Sequence, residues 1–124
     1  MDDKNIERGF AILQQMTGGR AEEVEARWKA LHPDLARLIV GFVAGEMWTR
    51  PHLDLRTRSL ITVAAMTALG RPNALELNIR MALNNGATRE EIGEVILHMA
   101  AYAGFPAAWE GMIIANKVFQ EHPS

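Results

Sequence analysis

Residues 87–106 read ATREEIGEVILHMAAYAGFP. Thr88 followed three positions later by Glu91 has the form of a capping box. In that motif each side chain bonds the other residue's backbone N–H at a helix start. Behind it Ile92, Val95, Ile96, Met99, Ala100 and Ala103 recur at the 3.6-residue period, until Gly104, Phe105 and Pro106 break the pattern. The stretch predicts one amphipathic helix between two clear punctuation marks.

Working outward, the same kind of signal recurs. Ile6, Phe10, Leu13 and Met16 form a stripe that ends at Gly18 and Gly19. Val24, Trp28 and Leu31 form a second, stopped at His32 and Pro33, with Pro33 suited to the first turn of the next helix. Leu35, Leu38, Ile39, Phe42, Val43 and Met47 form a third, halted by Arg50 and Pro51. Asp54 can cap a fourth helix, apolar nearly all round from Leu60 to Leu69 and so expected at the centre. Leu75, Ile79, Ala82 and Leu83 mark a fifth, closed by Gly86. After Pro106 a last helix carries Trp109, Met112, Ile113, Asn116 and Phe119 on one side. No segment alternates with period two for long. The fold class is all-α, a single domain over 1–124 with about seven helices and short loops.

The chain has 124 residues and a net charge of −2. One core is feasible at this length without covalent staples. With no cysteine, disulfides, thiolate metal sites and thiol redox chemistry are excluded. The charge balance does not favour nucleic acid or an anionic membrane, and no apolar run is long enough to span a bilayer. The first ten residues lack a signal-peptide pattern. A cytoplasmic protein is expected. No metal site is expected either, since only Glu94 and His98 share a helix face with ligand chemistry and no third ligand converges on them.

Several polar residues fall where the pattern wants apolar ones. With Leu35 at zero and about 100° per residue, Glu46 lies at about 20°, near the middle of the third apolar face. A buried carboxylate must be paired, or its pKa rises. Glu46 is therefore either a helix-end carboxylate, free to reach solvent or an arginine, or a site carboxylate. Asn78 flanks the fifth stripe, as a structural hydrogen bonder or a ligand contact. His98 stands four residues from both Glu94 and Tyr102, either in an exposed pair or as an imidazole over a pocket. Arg50, Arg56 and Arg58 form either a solvated face or a carboxylate-binding cluster. His52, in the same stretch, could line its pocket.

The segments GEMWTRPHLDLRTRSLITVAAMTALGR and LELNIRMALNNGATREEIGEVILHMAAYAGFPAAWEGM resemble the γ-carboxymuconolactone decarboxylase family. The specific pieces are G-E-x-W-x-R-P from Gly45, T-R-S-L from Thr57, N-N-G-x-T-x-x-E from Asn84 and Y-A-G-x-P from Tyr102. The resemblance implies an alkylhydroperoxidase-like helical fold assembled as homotrimers or hexamers. It also implies cofactor-free loss of CO₂ from 4-carboxymuconolactone or a related lactone or β-keto-type carboxylate, in aromatic catabolism. A site of this kind must hold carboxylates, stabilise an oxyanion and protonate carbon. By resemblance Glu46, Trp48, Arg50, Arg58, His98 and Tyr102 lie in or beside motif segments around such a pocket. The motifs do not settle which of them touches substrate; from their chemistry Glu46, Arg50 and His98 are the catalytic candidates. Trp48, His52, Arg58, Asn78 and Tyr102 are candidates for substrate contact.

One departure bears on the reaction. The family's decarboxylases usually read L-x-x-H-x-R where this chain has Leu75, Asn78 and Arg80. Asparagine cannot transfer a proton at neutral pH. Either His98 or Glu46 carries the proton step, or the chain has moved to another role: a cyclase, isomerase or hydrolase, or a non-catalytic binding oligomer. The peroxide-reducing sister branch uses C-x-x-C and a histidine. Here Arg71 to Ala74 and then Asn78 stand in those places, which excludes that thiol chemistry.

Overall fold

The computed structural model describes residues 3–122, which form seven α-helices, one of them continued by a π-helix, and no strand among the described residues. The helices fall into two compact units that divide after Asp54.

In the first unit α1 is Asp3–Met16, α2 Ala21–Leu31 and α3 Pro33–Leu38, which runs on as a π-helical segment over Ile39–Met47. Gln14 clamps the α1–α2 turn: its Nε2 donates to Gly19 O at 3.1 Å and its Oε1 accepts from the Ala21 N–H at 3.1 Å. His32 caps α3, with Nδ1 accepting from the Asp34 N–H at 3.0 Å, and Pro33 opens it as expected. The π segment packs on α1 through glycine. A Cβ on Gly9 would lie 1.7 Å from Val40 O, and one on Gly45 would lie 2.1 Å from Asn5 O. Backbone therefore meets backbone, which only residues without a Cβ allow.

This packing reverses the face expected for the third helix. The buried residues are Ala36, Val40, Gly41, Ala44 and Gly45, whereas Leu35, Leu38, Phe42, Val43 and Met47 are exposed. In a π-helix the bonds run five residues back, as from the Trp48 N–H to Val43 O at 3.0 Å, so each residue advances the helix by a smaller angle. Positions 36, 40–41 and 44–45 then share one side. Glu46 lies with Leu35, Phe42 and Val43 on the exposed side.

In the second unit α4 is Leu55–Leu69, α5 Pro72–Asn84, α6 Arg89–Ala103 and α7 Phe105–Glu121. α4 packs against each of the other three, as its composition predicts. Val63, Leu75, Ile79, Ile92, Ile96 and Val118 anchor the core, each at 2% exposure or less. Full burial of one such side chain contributes about 1.5–3 kcal/mol. The capping box forms: the Thr88 N–H donates to Glu91 Oε1 at 2.8 Å, and Thr88 Oγ1 accepts from the Glu91 N–H at 3.1 Å. Two details differ from expectation. The buried stripe of α4 is Ser59, Val63 and Thr67, with Ile61 and Leu69 left exposed. On α7 the core takes Ala108, Gly111, Ala115 and Val118, while Trp109 is 70% exposed. No helix of the described residues is long and apolar enough to cross a membrane.

An ion network ties α5 to α7. Lys117 Nζ donates to Glu76 Oε1 at 2.9 Å, and Arg80 bonds both Glu76, at 3.2 Å, and Glu121. Lys117 first, and then Arg80, hold the Glu76 carboxyl below its ordinary pKa against the opposing effect of burial. A depressed acid stabilises the fold above its unfolded pKa, and that contribution fades as pH falls through the folded one. Thermal unfolding of wild type and Glu76→Gln should therefore differ modestly at neutral pH. The two curves should converge as the solution is acidified through and below the carboxylate range.

Candidate functional site

Glu46, Trp48, Arg50 and His52 belong to the first unit, at the end of the π segment and in the turn after it. Glu46, Arg50 and His52 are exposed and Trp48 is half-buried. Thr49 Oγ1 donates to Gly45 O at 2.7 Å and the Arg50 N–H to Met47 O at 3.3 Å, which close this helix end. The site residues here follow directly from a backbone that Gly45 fixes against α1.

Arg58, Asn78, His98 and Tyr102 belong to the second unit. His98 lines an open groove of about 340 Å³ between α4 and α6, whose other walls include Leu60, Ile61, Ala64, Val95 and Met99. Its surface is almost wholly apolar except for His98 and Glu94. The imidazole lies 5.2 Å from the Tyr102 ring, centroid to centroid, at an interplanar angle of 42°. Of its two i, i+4 neighbours, then, His98 engages the tyrosine; among the described residues no hydrogen bond or ion pair joins it to Glu94. An exposed imidazole on an apolar wall can accept or deliver a proton to a molecule held against that wall.

Asn78 makes a hydrogen bond within its own helix. Its Nδ2 donates to Ala74 O, one turn back on α5, at 2.8 Å, and it is not among the groove's lining residues. Arg58 is half-buried in the first turn of α4, where its carbonyl accepts from Thr62 Oγ1 at 2.8 Å. Arg56, the third member of the arginine cluster, pairs with Glu91, so the residue that caps α6 also ties α6 to the start of α4.

Sequence reasoning missed a polar contact between α4 and the end of α5. Asn85 Nδ2 donates to Ser59 Oγ at 2.9 Å, while its Oδ1 is buried with no partner among the described residues. The N-N-G motif pointed to the segment, and the apolar period around Ser59 gave no hint of its role.

The family model for carboxymuconolactone decarboxylases matches residues 33–117. This chain belongs to the carboxymuconolactone decarboxylase family. Across 121 residues it is 35% identical to the 4-carboxymuconolactone decarboxylase of Acinetobacter baylyi, covering 97% of this chain and 90% of that one. It is 41% identical over 86 residues to the nitrosuccinic acid decarboxylase of Metarhizium robertsii, covering 68% and 59%. An uncharacterised 15.0 kDa protein of Paracoccus denitrificans is 40% identical over 80 residues, covering 62% and 59%. The two named relatives support a decarboxylase, and hence carboxy-lyase, function. The family match takes in every candidate site residue and leaves α1 and α2 outside.

Proposed function

We propose that the chain is a cofactor-free decarboxylase of 4-carboxymuconolactone, or of a related carboxylate whose CO₂ departs next to an electron sink. The likeness to 4-carboxymuconolactone decarboxylase along nearly the whole chain carries this reading. The second named relative supports the broader class, because nitrosuccinic acid also sets a carboxyl beside a strong electron acceptor, its nitro group. In the lactone the C–C bond to CO₂ breaks, its electron pair enters the conjugated carbonyl as a dienolate, and a proton then returns to carbon.

His98 delivers that proton, since Asn78 cannot. Tyr102 flanks the imidazole, and the apolar groove wall gives the body of the substrate a surface to lie against. Arg50 and Arg58 are assigned to carboxylate and oxyanion charge. Glu46 is assigned to proton handling beside His98's role, on the motif that contains it. The pathway context is aromatic-compound catabolism, in the cytoplasm. The working form is a homotrimer or hexamer in the alkylhydroperoxidase-like fold. Exposed Phe42, Met47, Phe105 and Trp109 supply the apolar surface such an assembly would cover.

Asn78→His tests the assignment of the proton step. If His98 serves it, the wild type turns over 4-carboxymuconolactone, and Asn78→His alters kcat by less than about tenfold, an increment under about 1.4 kcal/mol. An inactive wild type that gains activity in Asn78→His would show that the missing histidine, and not His98, is the proton donor.

A further inference from the structure

We propose that the second unit carries a separate binding site for a small zwitterion with an apolar body, a hydrophobic α-amino acid in class. The site is a cavity of about 300 Å³ where the end of α4, the start of α5 and the first half of α7 meet. Met66, Leu75, Ala107 and Ile114 make its apolar lining, and Arg71 and Glu110 are its two charged members. It shares no lining residue with the His98 groove, and the proposal does not depend on the decarboxylase reading.

The two charges of the lining are not paired with each other. Arg20, Arg27, Arg37, Arg56 and Arg80 each pair with a carboxylate. Arg71 instead makes one side-chain bond, from Nη1 to Leu69 O at 3.2 Å, which leaves most of its guanidinium fork unused. Among the described residues no cation pairs with Glu110, and no ion pair closes between it and Arg71. The backbone at Arg71 is nonetheless fixed. Gly70, at φ +67°, turns the chain out of α4, and the Arg71 N–H bonds back to Met66 O at 3.0 Å. Thr67, the buried hydroxyl of the lining, already donates to Val63 O at 2.8 Å and makes no further demand.

A ligand with one negative charge meets the guanidinium but also Glu110. A ligand with one positive charge meets the reverse. A zwitterion satisfies both, its carboxylate on the Arg71 fork and its ammonium at Glu110, with an apolar side chain toward Leu75 and Ile114. A volume of about 300 Å³ is at the small end of ligand cavities, which suits a single amino acid.

The test titrates the full chain with L-leucine, with 4-methylpentanoate, which lacks the ammonium, and with 3-methylbutylamine, which lacks the carboxylate. Calorimetry measures affinity, and the amide resonances of Thr67 and Ala107 report the place. Saturable leucine binding is expected at one site per chain. Removing either charge from the ligand, or making Arg71→Gln or Glu110→Gln, should weaken it about tenfold or more. Ala107→Leu, which fills the cavity, should abolish it. Both charged residues are exposed, so their variants should fold, as circular dichroism can verify. No saturable leucine binding, leucine binding that survives both charge variants, or equal affinity for 4-methylpentanoate would each overturn the proposal.

Discussion

Replacing Gly9 with alanine should destabilise the first unit by about 3 kcal/mol or more, at the upper end of what overpacking costs. The added methyl carbon would lie 1.7 Å from Val40 O and 2.9 Å from Gly45 N, both backbone atoms. No rotamer change can relieve a clash with main chain, so α1 must move away from the π segment. The partner substitution Gly45→Ala should behave alike, because its Cβ would fall 2.1 Å from Asn5 O. The two effects should be strongly non-additive, since one displacement relieves both collisions. Thermal or denaturant unfolding of both single variants and the double variant checks this. A Gly9→Ala protein as stable as wild type would mean that α1 and the π segment do not touch as described.

The second large effect is on turnover. His98→Gln keeps a hydrogen-bonding side chain of similar reach but removes proton transfer, and should lower kcat by about 10²- to 10⁴-fold. KM should change little, because the groove's apolar walls remain. Stability should hold too, since His98 is exposed and meets Tyr102 only as a tilted ring pair. A purely structural histidine would give the opposite split, with lost stability and retained activity. His98→Ala adds a further reading: free imidazole should restore part of its rate if the missing group is a proton carrier. Full activity in His98→Gln would remove His98 from the mechanism.

Local chemistry was legible and helix faces often were not. Thr88 with Glu91, Pro33, and the glycine that ends α5 all act within one turn, so sequence spacing carries the whole signal. The orientation of the third and last helices depends on what lies opposite. Reading by hydrophobicity chose Phe42, Met47, Trp109 and Ile113. The fold instead buries Ala36, Gly45, Ala108 and Gly111, because small residues let helix axes approach closely. Glu46 shares the side of Leu35, Phe42 and Val43, so it lies in the open once that side is the exposed one.

The contacts around the candidate residues were not legible in the sequence. The sequence singled out His98 and both its helical neighbours; only the structure shows that its ring meets that of Tyr102. Asn78 illustrates the reverse case. Its replacement of a family histidine was visible in the sequence, and its bond to Ala74 O explains how an amide is accommodated there. Arg71 and Glu110 carried no sequence signal, because 39 positions separate them and only the meeting of α4, α5 and α7 brings them to one cavity.

The proposed reaction removes CO₂ from an activated carboxylate without a histidine at position 78. The most direct measurement incubates the purified wild-type chain, with no added cofactor, with 4-carboxymuconolactone and follows CO₂ and the enol-lactone together. Stoichiometric release of both, abolished in His98→Gln, is the predicted result. No release from protein that is folded and assembled would contradict the account.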